Sequence, residues 1–462
     1  MEEKSGHNLL GFHSMQKACS TIRVGIKDEQ SEAVIGLNGV FLLNDGKEIT
    51  GTIIVEAKKD SIIIFDKKKH IVSSGQDIRF KNKGDSTFTL FDVAIGIGFH
   101  WEKKERQVFK GDLVLKRRPH GTIAIINEIE VEDYLKSVIS SEMKSTAPIE
   151  FLKAHAIISR SWLIYALKEK DNVLLTKERK KDQHCKSTMD EDQIIRFYEQ
   201  ESHDLYDVCA DDHCQRYQGI TKISTENPVR AVIETSGIVL TYNGLVCDAR
   251  YSKACGGITE EYKTAWKDMD IPYLKSIYDG EKSFSPILTE KDAKSWICSR
   301  PDAFCNIKDR EMLRMILPDF DIKTKDFFRW QVRYKRKELE DIICKKSGYD
   351  LGKIQEIKPL KRGPSGRIFL LEIRGTKKTI RIGKELEIRR WLSHTHLLSS
   401  AFVIEHKYDD LGDIDTFTFY GAGWGHGVGL CQIGAGVMAL KGYKAEEILR
   451  HYFPGTRLEK IY

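Results

Sequence analysis

Residues 421–436, GAGWGHGVGLCQIGAG, place seven glycines in sixteen positions. Each glycine costs conformational entropy, so a run this dense is kept where φ must be positive or where another group comes close to the backbone. Spacing excludes a nucleotide-phosphate loop. Gly421 and Gly423 are followed by His426 where a G-x-G-x-x-G fingerprint needs its third glycine, and no G-x-x-x-x-G-K-[ST] occurs there. Phe417 and Phe419 alternate before the run, and Ile433, Val437 and Leu440 follow it at helical spacing. The pattern predicts a strand, a turn and a helix. Glycines offer a ring little to pack against, so His426 is expected to face a cleft.

Upstream, the hydrophobic period changes once. Short alternating runs punctuated by Gly, Asp and Asn (TIRVGI, GTIIVEA, SIIIF, STFTLFDVAI, LVLKRR, GTIAIINEI) fill residues 21–125 and predict a β-rich region. From Glu130 the rhythm becomes helical, with Tyr134, Leu135, Val138, Ile139, Glu142 and Met143 on one face. Pro148 then opens a second helix, with Phe151, His155, Ile158, Trp162 and Tyr165 as its apolar stripe. The charged stretch 168–193 reads as a solvated loop. Residues 280–395 mix helical and strand patterns, like an α/β module inserted before the glycine run. The expected class is α+β: a tail over 1–20, a β-rich region over 21–125, a core over 126–279, the insertion over 280–395 and a C-terminal part over 396–462. In this arrangement the helical pair and the glycine turn form the two walls of a groove.

Composition excludes several classes. No run of eighteen apolar residues exists to span a membrane. The N-terminus has acidic residues and no apolar core segment, unlike a secretory signal. A net charge of +6 over 462 residues fits a solvated surface, and no nucleic-acid-binding motif accompanies it. A Ser-His-Asp hydrolase lacks its G-x-S-x-G elbow. Ten scattered cysteines do not make a disulfide scaffold, although Cys298 and Cys305 are close enough in sequence to close a small loop or to remain two thiols.

Glu142 is the candidate acid. Its spacing puts it on the buried face at the end of the first helix, and a carboxylate set against apolar surface holds its proton more tightly, as a general acid working near neutral pH requires. Lys153 and Arg160, seven residues apart, share a face of the second helix. They read either as flanking Glu142 to hold an anionic or polyol substrate or as an exposed basic face. His203, Cys209, His213 and Cys214 offer imidazole and thiolate within a dozen residues, the donor set of a tetrahedral zinc site. The adjacency of His213 and Cys214 leaves open a set of three with a further ligand.

These blocks together resemble the SpoIID/LytB family, named for stage II sporulation protein D and the LytB amidase enhancer. YLKSVISSEMKSTAPIEFLKAHAIISRSW resembles the family's Glu-Met signature and its Leu-Lys-Ala-x-Ala…Arg helix. ARYSKACGGITEEYKTAW resembles its Gly-Gly-x-Thr-Glu…Trp block, and the glycine run through HYFPGT its C-terminal signature. The resemblance covers roughly residues 125–462. It departs at Lys144, where proline is common, at His155, where glutamine is common, and at Cys255 and Cys431, where serine is usual.

The resemblance implies a lytic transglycosylase that cuts the MurNAc-GlcNAc strands of peptidoglycan, with Glu142 as its single acid/base. Lys153, Arg160, Tyr251, Lys253, His426 and Gln432 would contact the substrate, and zinc at His203, Cys209, His213 and Cys214 would be structural. One carboxylate suffices where other glycosidases need two, because the muramic acid's own 6-hydroxyl attacks C1 and leaves a 1,6-anhydro end. The glycine turn would let a glycan strand approach the backbone. The alternative is a non-catalytic, LytB-like wall-binding enhancer of an N-acetylmuramoyl-L-alanine amidase. A zinc amidase is disfavoured because a His/Cys cluster in one short stretch suits a structural site. Such a substrate implies the cell envelope or periplasm.

Overall fold

The computed structural model describes residues 21–97, 102–175, 188–190, 192–197, 203–324 and 326–462. The expected tail over 1–20 and half of the charged stretch 168–193 lie outside these. The chain divides into two units. One comprises residues 1–163, 200–239 and 459–462, the other residues 164–199 and 240–458.

Ten strands open the first unit: β1 (Thr21–Gln30), β2 (Glu32–Leu42), β3 (Glu48–Ala57), β4 (Ile62–Phe65), β5 (Ile71–Gly75), β6 (Asp77–Asn82), β7 (Thr87–Ile95), β8 (Lys103–Lys110), β9 (Asp112–Arg117) and β10 (Ile123–Glu130). All six alternating runs of the sequence are strands. The sheet runs β1-β10-β9-β6-β2-β3-β4-β5, with β7 and β8 branching from β2 and the short strand Val208–Cys209 added parallel to β1. The branch occurs because β2 changes partner along its length. It pairs with β7 over Ile35–Asn38 and with β6 at Phe41 and Leu42. Gly39, at φ +106°, turns the strand between these two pairings, as an irregular residue in a ladder does.

β10 leads directly into helix α1 (Val131–Glu142), which buries Tyr134, Leu135, Val138, Ile139 and Glu142. Helix α2 follows at Ile149–Leu175, immediately after Pro148. Its last turns occupy residues expected to be loop. No proline or glycine interrupts residues 149–175, and Ala, Leu, Lys and Glu favour helix, so charge alone does not end it. Further along the charged stretch, Thr188–Asp190 and Gln193–Ile195 pair as antiparallel strands.

In the second unit, Arg329–Lys335, Ile414–Ala422 and Phe402–Tyr408 form a three-stranded sheet with Ile414–Ala422 in the middle. A five-stranded sheet contains Thr379–Gly383, Ile368–Gly375 and Ile354–Arg362. Helices Arg336–Ser347 and Glu385–Trp391 share one core with both, through Trp330, Leu339, Ile343, Leu371, Ile388, Phe402 and Phe419. Residues 280–395 therefore contribute one strand, Arg329–Lys335, to the sheet that holds Ile414–Ala422. That strand leads through the glycine turn and the short strand Leu430–Cys431 into helix Gln432–Leu440.

Candidate functional site

Glu142 ends α1 and is 7% exposed. Its Oε1 accepts a hydrogen bond from the backbone N–H of Arg216 at 3.1 Å. The segment that supplies this donor is fixed along β10, α1 and α2 by side-chain and backbone bonds. Gln215 accepts from the Tyr134 hydroxyl (3.1 Å) and donates to the Ser159 carbonyl (3.4 Å). Tyr217 donates to Asn127 at 2.5 Å, and the Gln218 N–H donates to the Ser137 hydroxyl at 3.2 Å. A backbone donor has no residue identity, so Arg216 carried no signal in the sequence.

Immediately before this segment stand His203, Cys209, His213 and Cys214, whose ligand atoms all lie within 4.8 Å of one another. Cys214 Sγ lies 3.5 Å from both His203 Nε2 and His213 Nδ1, and Cys209 Sγ lies 3.9 Å from His213 Nδ1. A tetrahedral zinc with bonds of about 2.0–2.3 Å needs neighbouring ligands roughly 3.3–3.8 Å apart, so the four residues fit the ion. The adjacency of His213 and Cys214 does not keep either away from the others. Hydrogen bonding from Cys214, then from His203 and His213, lowers the pKa of the Cys209 thiol against the opposing effect of burial, a direction that favours the thiolate form a metal binds.

The two basic candidates on α2 are paired with the chain's own carboxylates. Lys153 reaches Glu234 at 2.6 Å and Glu150 at 3.1 Å. The Glu234 partner raises its pKa above the usual lysine value. Arg160 is fully buried and grips Glu132 with two N–H groups, at 2.9 and 2.6 Å, and the Ile238 carbonyl at 3.0 Å. The exposed basic face is therefore corrected: the α2 arginine is interior.

The remaining candidates lie in the second unit. Tyr251 pairs with Leu430 in a two-stranded parallel ladder. Lys253 is buried in an ion pair with Asp321 at 2.9 Å, and Gln432 is buried at the start of its helix. His426 packs edge-on against Trp266, with ring centroids 4.7 Å apart, and Arg250 lies over the same indole at 4.5 Å. His426 Nδ1 accepts from the Val428 N–H at 3.0 Å. Burial first, then Arg250, Arg367 and Arg389, push its pKa well below the ordinary imidazole value, with a backbone bond at Tyr251 pulling the other way. The ring does have a packing partner. Trp266 stands 160 positions away in sequence, where no local pattern reveals it.

The glycine run also has an internal explanation. Gly423, Gly425, Gly427 and Gly429 all have positive φ. A Cβ at Gly427 would collide with the Arg367 guanidinium, one at Gly429 with the Arg250 carbonyl, and one at Gly423 with the carbonyls of Ala254 and Cys255. Arg367 donates to the Gly425 carbonyl at 3.2 Å, and Trp424 exchanges two backbone bonds with Ala254. What approaches this backbone is the protein itself.

Comparison with known proteins follows this geometry. A family profile described as Stage II sporulation protein matches residues 119–242, which include Glu142 and the His/Cys cluster. A domain of unknown function matches residues 260–429. The amidase enhancer of Bacillus subtilis is 28% identical over 256 residues, covering 53% of this chain but only 34% of that protein. Stage II sporulation protein D of Bacillus subtilis is 26% identical over 336 residues, covering 72% of this chain and 76% of the relative. An uncharacterized protein of Brachyspira hyodysenteriae is 25% identical over 337 residues. Residues 119–242 thus match the SpoIID domain family, and the chain is similar to proteins named stage II sporulation protein D and amidase enhancer. Among the described residues, no helix is long and apolar enough to cross a membrane.

Proposed function

We propose that this protein is a lytic transglycosylase that cleaves peptidoglycan glycan strands with Glu142 as its only acid/base. The observation that carries the reading is the buried Glu142 carboxylate, held at one oxygen by the Arg216 N–H. A carboxyl group so oriented protonates the glycosidic oxygen as the C1–O bond breaks. It then accepts the proton of the muramic acid 6-hydroxyl as that oxygen bonds to C1. Protons balance, water is not consumed, and a 1,6-anhydro ring is the product. Zinc at His203, Cys209, His213 and Cys214 supplies a fixed anchor for the 203–218 segment when bound. The segment's side-chain and backbone bonds then present the Arg216 N–H to Glu142.

Glu142→Gln tests the assignment. It keeps shape and hydrogen bonding but cannot deliver a proton, so release of soluble fragments from purified sacculi should fall about 10²–10⁴-fold while sedimentation with sacculi persists. Undiminished release would end the assignment.

A second reading is favoured by one specific observation. Lys153 and Arg160 are both occupied by carboxylates of the chain, as suits a scaffold, and a relative is named an amidase enhancer. In this reading the protein binds the wall and stimulates a separate amidase. Addition of the protein would then accelerate stem-peptide release by an N-acetylmuramoyl-L-alanine amidase without cutting strands itself.

A further inference from the structure

The second unit contains a cluster that the reaction does not use. Cys255, Asp279, Cys305 and Cys431 come from four separate stretches of chain, and one ligand atom from each lies within 4.8 Å of all the others. None is more than 2% exposed. We propose that these four residues form a second metal site, closed by four protein ligands and suited to zinc or a similar borderline-soft divalent cation.

Distance supports this first. Cys255 Sγ and Cys305 Sγ lie 3.7 Å apart, close to the roughly 3.8 Å edge of a tetrahedron with zinc–sulfur bonds of about 2.3 Å. That is far too long for a disulfide, and all four cysteines of the second unit's core, Cys247 included, are free thiols. The surroundings support it next. Cys431 Sγ accepts the N–H groups of Cys255 (3.2 Å) and Gly434 (3.4 Å), and Cys255 Sγ accepts that of Gly257 (3.4 Å). Asp279 accepts from the Cys305 N–H on Oδ2 at 2.9 Å and from the Tyr452 hydroxyl on Oδ1 at 2.5 Å. N–H donors aimed at sulfur and an oriented carboxylate are the outer partners that fix ligands around a metal. These bonds use about two of the four lone-pair sites of an ionised carboxylate, which leaves capacity for a cation.

The backbone makes room for the arrangement. Cys431 caps the helix Gln432–Leu440, and a Cβ at Gly434 would collide with Asp279 Oδ1. A buried site holding three thiols and a carboxylate is costly as apolar filling, since buried polar groups need compensation. Coordination supplies it. With no open position the ion would be structural, pinning the end of the glycine turn to the loops carrying Cys255 and Cys305.

The test measures zinc in the full chain, purified without chelator. About two equivalents are expected, falling to about one in Cys209→Ser/Cys214→Ser, which removes the first cluster. Exchange of cobalt(II) into that variant should give a thiolate-to-cobalt charge-transfer band, which Cys255→Ser/Cys305→Ser in the same background should abolish. Wild-type protein provides a readout that needs no variant. Peptide-resolved alkylation should find Cys255, Cys305 and Cys431 protected until zinc is stripped in mild denaturant with chelator, and still protected in the same denaturant with zinc added. A first cluster without zinc would leave the total at about one equivalent, insensitive to Cys209→Ser, and the second site would stand. Loss of all metal from folded Cys209→Ser/Cys214→Ser, a disulfide among the three cysteines, or alkylation indifferent to zinc would each overturn the proposal.

Discussion

Glu142 and Arg160 are both buried polar residues on consecutive helices, and their partners set them apart. Glu142 is held by a backbone N–H, whereas Arg160 is neutralised by Glu132 in a two-pronged ion pair. Removing the buried guanidinium strands a Glu132 carboxylate that is 24% exposed, at a cost of up to about 3–5 kcal/mol, the figure for a fully buried pair. Arg160→Met should therefore lower the midpoint of urea unfolding strongly. A stable Arg160→Met protein with weakened sacculus binding would instead make Arg160 a substrate contact. His426 invites a pH test. Its folded pKa lies below the unfolded value of about 6.5, so the unfolded state binds the extra proton, and stability is full above that pH and falls as pH drops through it. His426→Asn, which keeps an acceptor for the Val428 N–H, should flatten the decline in unfolding free energy between about pH 7 and pH 5. An unchanged slope would mean that His426 is not held neutral. The position of Glu142 was legible because the helical period reports burial. The role of Arg160 was not, since its partner lies 28 residues away on another helix and no spacing rule links them.

At the scale of elements, strands and helices followed the period of the apolar residues closely. The runs between 21 and 125 became strands, and the change at Glu130 became α1. The branching of β2 was not visible, because partner choice depends on tertiary packing and Gly39 resembles any loop glycine. The glycine run was legible as strand, turn and helix, but the groups crowding it were not: Arg367 and Arg250 belong to other stretches. A paired substitution separates strain from crowding. Gly442 has φ +95° with open space around it, whereas Gly427 has φ +78° with the Arg367 guanidinium where a Cβ would go. Gly442→Ala should cost about 1–2 kcal/mol, the left-handed penalty alone. Gly427→Ala should cost clearly more, because Arg367 must also leave its carbonyl partners. Equal losses by chemical denaturation would show that Arg367 does not set the glycine requirement.

Across the whole molecule, one short segment joins the His/Cys cluster to the Glu142 carboxylate. The 203–214 cluster precedes Arg216 in sequence, and Arg216 bonds Glu142. Cys209→Ser should therefore lower zinc content and melting temperature, and should reduce turnover on sacculi more than sacculus binding. Turnover untouched by complete loss of zinc would uncouple the cluster from Glu142. Sequence made both ends of this link visible, one by its donor types and one by its helical position, but the link itself is a backbone hydrogen bond. The central claim is that the chain cuts glycan strands by intramolecular attack. Mass spectrometry of the fragments released from purified sacculi tests it most directly. The account predicts muropeptides ending in 1,6-anhydro-muramic acid with wild-type protein and about 10²–10⁴-fold fewer with Glu142→Gln. Reducing ends, released stem peptides or intact strands from the wild-type protein would contradict it.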